Sequence, residues 1–187
     1  MKFNYELSGH GWTDGFIEMD SKKILFSPGY VTDAFGDLLR GLTDLLNGEE
    51  RVGTFLWEEE PIGLNWRLKL QDGNKLFLTI TKYEDTIDYI EGKEGVIILD
   101  TTCDFLDFVK MIIKEADQLL FRHGIVGYQK MWIEHEFPLS SYLQLKYSLT
   151  GEEKNSMQTI AKDEGQSKGC EKNEFKQELQ FLTRNFT

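Results

Sequence analysis

Cysteine is almost missing from this chain, and the two it has, Cys103 and Cys170, stand far apart in dissimilar surroundings. That excludes a disulfide framework or a cysteine-based metal spacing and leaves two free thiols. Clusters of Lys and Arg are missing too. With a formal net charge of −11 the chain has no basic face to hold phosphates, which excludes a duplex nucleic-acid partner. No stretch approaches the roughly 18 apolar residues of a membrane span, and the opening MKFNYELSGHGW lacks the apolar core of a secretory signal. The expectation is a cytoplasmic protein with no membrane association.

Chemical signatures are equally scarce. Gly-x-Ser-x-Gly is absent, and Gly9-x-Gly11 lacks the third glycine and the following helix of a dinucleotide loop. No cofactor is implied. His10, His123 and His135, with Glu134, Glu136 or Asp14, offer metal-donor types but no spacing that requires a metal, so none is assigned. Glu58-Glu59-Glu60 before Pro61 could supply paired carboxylates, although adjacent acids in a hairpin loop are usually solvated. Cys103, at the start of an expected helix, sits where a thiolate would be stabilised or where a thiol is simply buried. Trp12, Trp57, Trp66 and Trp132 are candidates to line a pocket beside the more ordinary core and interface roles. The candidate surface or ligand site is therefore His10, Trp12, Glu60, Trp132 and His135, with no catalytic residue.

What the chain does have is large apolar side chains, 13 Phe, 7 Tyr and 4 Trp, and a clear pattern around which to place them. In residues 51–83, Leu64, Trp66, Leu68 and Leu70 alternate with polar residues, and Leu76, Leu78 and Ile80 repeat the alternation. Antiparallel partners share a face, so Leu70 must oppose Leu76, Leu68 oppose Leu78 and Trp66 oppose Ile80. A two-residue Asp72-Gly73 turn would set Lys69 against Leu76. The loop is instead Asp72-Gly73-Asn74, with Asn74 left-handed. The same parity pairs Trp57 with Leu64 and Phe55 with Trp66, leaving Glu58 to Gly63 as the connection.

Upstream, Phe3, Tyr5 and Leu7 open a strand, and a second strand, bent around Asp20 to Lys23, covers Thr13 to Phe26. Val31, Phe35, Leu38, Leu42 and Leu45 then predict a helix to Asn47, with Gly36 and Gly41 inside it at about 1 kcal/mol each, a cost that implies close packing against a sheet. Downstream, 84–95 reads as an exposed loop or short irregular helix. Val96-Ile97-Ile98-Leu99 reads as a strand buried on both faces or one leading into a helix. Thr101 and Asp104 resemble a capping box before Phe105, Val109, Ile112, Ala116 and Leu119, a helical stripe that His123-Gly124 ends. Pro138 opens a short helix through Leu149. Residues 151–173 lose their apolar side chains and read as a flexible linker, and Phe175, Leu179, Leu182 and Phe186 predict a short amphipathic tail helix over 174–187.

Gly9-His10-Gly11-Trp12, Val31-Thr32-Asp33-Ala34 with Asp37-Leu38-Leu39, Glu60-Pro61, Trp66-Arg67-Leu68, Gly127-Tyr128, Trp132, His135 and Phe137-Pro138-Leu139 together resemble a family of small uncharacterised bacterial proteins over about residues 3–149. The resemblance implies a single domain and brings no activity with it.

The expected fold is α+β, with residues 1–150 as one domain. An antiparallel sheet of about six strands carries helices 31–47 and 103–123 on one face and short C-terminal helices, leaving the other face partly open. The expected role is a non-enzymatic protein-binding module, an immunity-type antitoxin being one form, with a protein partner or a homo-oligomer. The alternatives are a small-molecule-binding protein or enzyme using a His/Glu/Trp cleft, and a structural protein.

Overall fold

Alternation decides the first strands of the protein, whose computed structural model describes residues 1–150. The expected linker 151–173 and tail helix 174–187 lie outside the described residues. Phe3, Tyr5 and Leu7 are buried along β1 (Lys2–Gly9), which pairs antiparallel with β2 (Trp12–Met19). The bend expected at Asp20 is a full reversal. Asp20 and Ser21 both take positive φ, 46° and 66°, the left-handed pair that matches the twist of a two-residue hairpin. β3 (Lys22–Phe26) therefore folds back on β2 as a separate strand.

β4 (Val52–Glu59), β5 (Ile62–Gln71), β6 (Lys75–Tyr83) and β7 (Val96–Asp104) form a second, four-stranded antiparallel meander. Every pairing that parity demanded is present: Leu70 with Leu76, Leu68 with Leu78, Trp66 with Ile80, Trp57 with Leu64 and Phe55 with Trp66. Asn74 closes the odd loop at φ 63°. The β4–β5 connection is shorter than expected, because pairing continues to Glu59–Ile62 and leaves only Glu60-Pro61, joined by a cis peptide, in the turn.

The protein is thus α+β, and the described residues form seven strands in two antiparallel sheets, rather than about six in one. β7 is also the edge of its sheet, not a strand buried on both faces: Val96 and Ile97 are exposed. A run of aliphatic residues fits either position; among the described residues no strand pairs beyond β7.

α1 (Ala34–Asn47) packs mainly against β4, where Gly41 and Gly53 let the two backbones approach: a Cβ at Gly53 would lie 3.6 Å from the Gly41 Cα. Gly36 has a different cause, since the Asp33 carboxylate occupies the space its side chain would take. α3 (Phe105–Trp132) lies along β1 and reaches nine residues past its expected end. Gly124 breaks it at φ 64°, but the backbone resumes helical geometry beyond. Its cap is Asp104 alone, whose carboxylate accepts from the Asp107 amide (3.0 Å), while Thr101 remains in β7. The two main helices therefore serve different sheets instead of sharing one face. The short α2 (Thr86–Ile90) follows β6, and α4 (Leu139–Thr150) packs on α1 and α3. Among the described residues no helix is long and apolar enough to cross a membrane.

The inner faces of both sheets and α1, α3 and α4 share one core. Trp66 is fully buried there, with Trp57 at 4.5 Å and Phe26 at 6.3 Å between ring centroids. Trp66→Ala should cost about 3–5 kcal/mol, because the cavity left by a central indole cannot collapse. Urea melts of the two proteins check it, and a loss below about 1 kcal/mol would contradict that burial.

Candidate functional site: a backbone clamp and an acid-rimmed corner

The five residues singled out in the sequence do not form a cleft. Trp132 is fully buried at the end of α3, edge-on to Tyr5 at 6.2 Å, and belongs to the core. His10 is exposed in the β1–β2 turn at φ 56°, and Glu60 is exposed in the β4–β5 turn. Trp12 opens β2 and bridges to Gly29, over which its ring lies. The His135 Nε2 is 3.0 Å from the Tyr30 carbonyl.

Residues 27–32 tie these places together, mostly through backbone groups. The Gly29 amide donates to the Glu58 carbonyl (2.8 Å), the Thr13 amide to the Pro28 carbonyl (3.2 Å), and the Glu58 amide to the Thr32 hydroxyl (3.3 Å). Tyr30 packs under Gly11, whose own amide donates to the Met131 carbonyl of α3 (2.8 Å). One six-residue segment thus clamps the β1–β2 turn, the β4–β5 end and His135 beyond α3, while Gly11 of that turn holds the last turn of α3. Trp12 and His135 are parts of that clamp.

The carboxylate that matters in Glu58-Glu59-Glu60 is the middle one. Glu59 accepts from the Ser27 amide at 2.6 Å, and partial burial raises its pKa against the lowering effects of that bond and of Lys82. Nothing in the sequence separates Glu59 from its neighbours, since its partner is a backbone amide 32 residues away. Glu115 is the other desolvated acid. Burial raises its pKa although Arg122 donates to it at 2.8 Å and, through its other terminal nitrogen, to Glu6 of β1 at 2.7 Å. Burial and the neighbouring Asp104 push the Cys103 thiol up to about 11, so this position does not favour a thiolate. Among the described residues no group of three or more His, Cys, Asp or Glu could hold a metal.

An exposed apolar surface lies elsewhere, at a corner of the four-stranded sheet. Along β4, residues alternate with buried Trp57, so Leu56 and Glu58 face outward; the register places Leu56, Asn65, Thr81 and Ile97 in one outward row and Glu58, Gly63 and Tyr83 in the next. A Cβ on Gly63 would meet Thr86 at 3.3 Å, which puts the start of α2 over this outer face. The Tyr83 ring meets Tyr89 of α2 at 5.3 Å and also backs Gly95, just before β7. Ile87 and Ile90, three apart on α2, are 55% and 77% exposed, and Val96 and Ile97 of β7 are 66% and 60% exposed. Acids surround them. Residues 84–100 hold Glu84, Asp85, Asp88, Glu91, Glu94 and Asp100 against the single Lys93, which bridges Asp88 and Glu91. The sequence displays the acids and the aliphatics; the fold sets Ile97 on the outer face that carries α2, whereas Val96, in the row of Lys82 and buried Leu64, faces the other side. No protein-family model, curated protein or solved structure matches this chain.

Two substitutions test the clamp. Gly11→Ala should destabilise by about 1–3 kcal/mol, since the residue has φ 76° and a Cβ would sit 2.6 Å from the Tyr30 ring; thermal or urea melts measure it. Glu59→Gln keeps an acceptor for Ser27 and removes the desolvated charge. A raised folded pKa means that Glu59 favours folding most when protonated, and that contribution is lost as pH rises from about 4.3 through the raised value. The stability of wild type relative to Glu59→Gln should therefore fall between weakly acidic and neutral pH in paired denaturation curves, and a flat difference would contradict the shift.

Proposed function

We propose that this chain is a cytoplasmic, non-enzymatic protein-binding module that docks a basic partner protein on the α2–β7 corner. The support is the combination found there: three exposed aliphatic side chains, Ile87, Ile90 and Ile97, carried by a segment, 84–100, that holds six carboxylates and one lysine. An apolar centre with a charged rim has the composition of a protein interface, and the rim steers a cationic partner while rejecting an anionic one. Pairing of two copies through this corner is disfavoured, because it would bring like charges together. An immunity-type antitoxin masking a basic toxin domain is one concrete form.

Basic proteins encoded in adjacent reading frames form the test set. One of them should bind the full chain with an affinity that falls as salt rises. Ile90→Asp and Ile97→Asp should each weaken that complex by about tenfold or more in calorimetric titration. Both side chains are solvated, so the melting temperature should hardly move. Binding insensitive to both substitutions would reject the corner as the docking surface, and a set of basic neighbours that all fail to bind would reject the partner chemistry.

A further inference from the structure

One face of α3 carries a groove of about 450 Å³ lined by Lys114, Asp117, Gln118, Phe121 and Arg122. The spacing i, i+3, i+4, i+7, i+8 is a single helical stripe. Phe121 at its centre is 68% exposed, and Ile125 and Val126, past the Gly124 break, are exposed as well. The groove thus presents one exposed ring between the polar side chains of Lys114, Asp117, Gln118 and Arg122. It is also separate from the α2–β7 corner, since no residue is common to the two.

We propose that the C-terminal segment of the same chain, residues 174–187, docks in this groove. Where the described chain ends is the first ground. α4 is fastened to the same face of α3: the Tyr142 hydroxyl and the Lys146 ammonium both donate to Asp117, at 2.5 and 2.6 Å. The chain therefore leaves α4 at Thr150, one turn beyond Lys146 and beside the groove.

Complementarity is the second ground. Phe175, Leu179, Leu182 and Phe186 recur at i, i+4, i+7 and i+11, which gives a helix one apolar stripe to lay along another. A helix of that length is unstable alone in water and forms only against a surface. Glu174 and Glu178 flank the start of the stripe, opposite in charge to Lys114 on the groove wall.

Length is the third ground. A linker with the composition of 151–173 spans about 26 Å root-mean-square, against about 42 Å for the whole of α3, so the groove is within reach. A tether this short holds the segment at millimolar effective concentration, which favours the chain's own groove over that of a second copy.

Hydrogen exchange on the full-length chain, read by mass spectrometry at micromolar concentration with light scattering in parallel, tests the proposal. Amides of 174–187 should exchange at least about tenfold more slowly than in the isolated peptide, in a monomer. Phe121→Glu should return them to peptide rates while exchange in the β-sheets stays unchanged. Should Phe121→Glu fail to fold, Leu179→Glu with Leu182→Glu leaves the described domain untouched and should have the same effect on the tail while raising exchange in residues 114–126. Peptide-like exchange of the tail in the wild-type chain would overturn the proposal, as would protection that survives these substitutions. A dimer whose dissociation removes the protection would overturn it in favour of exchange between copies.

Discussion

The two sheets are held in one domain by an aromatic seam. Phe26, the last residue of β3, meets Trp57 of β4 edge-on at 5.0 Å, Trp57 lies 4.5 Å from Trp66 of β5, and Tyr5 of β1 reaches Trp57 at 6.0 Å. Space for it comes from Gly15, where a Cβ would stand 2.4 Å from the Phe26 ring. The Trp57 and Trp66 indole N–H groups have no hydrogen-bond partner among the described residues. The seam is therefore held by apolar area and ring geometry, strong enough to offset roughly 1–3 kcal/mol for each unpaired group. Because the rings come from β1, β3, β4 and β5, they join strands of both sheets. The 27–32 clamp then sets the angle at which the chain leaves Phe26 for α1.

Much of this was legible because side-chain parity is a local property. Leu70 opposite Leu76 follows from period two alone, and so does the left-handed Asn74, since an odd loop needs a residue tolerant of positive φ. Gly41 announced a close helix–sheet approach, and Gly53 opposite it confirms the cause. The failures share another origin. Whether Val96 and Ile97 lie at an edge, or whether seven strands form one sheet or two, depends on neighbours remote in sequence, and alternation reveals a buried face without revealing what covers it. The continuation of α3 past Gly124 escaped notice because a glycine at a helix end and a glycine at a helix kink look alike.

The candidate site was less legible than the fold. His10, Trp12 and His135 were noticed for their side chains, yet the segment that joins their neighbourhoods acts mainly through amides and carbonyls, which carry no sequence signal. Glu59 differs from Glu58 and Glu60 only in the amide it meets. The α2–β7 corner shows the opposite case. Its acids account for about half of the net charge of −11, so the bulk electrostatics of the chain and the local character of one surface have the same source. Composition could report the first and not the second.

The order in which the contacts occur along the chain bears on how the molecule assembles. All five strand pairings described join consecutive strands, four through tight turns or short loops and the β6–β7 pair through the segment that holds α2. The docking of α3 on β1 is different in kind, as the Glu6–Arg122 pair joins residues 116 apart. Closing a loop of that size costs chain entropy that no local contact repays in advance. The two meanders can thus form early and independently, while β1 waits for a helix made from the far end of the domain. Until that helix arrives, the three-stranded sheet lacks the cover that buries Leu7 and Tyr5, and on a ribosome it would remain open until nearly the whole described chain had emerged.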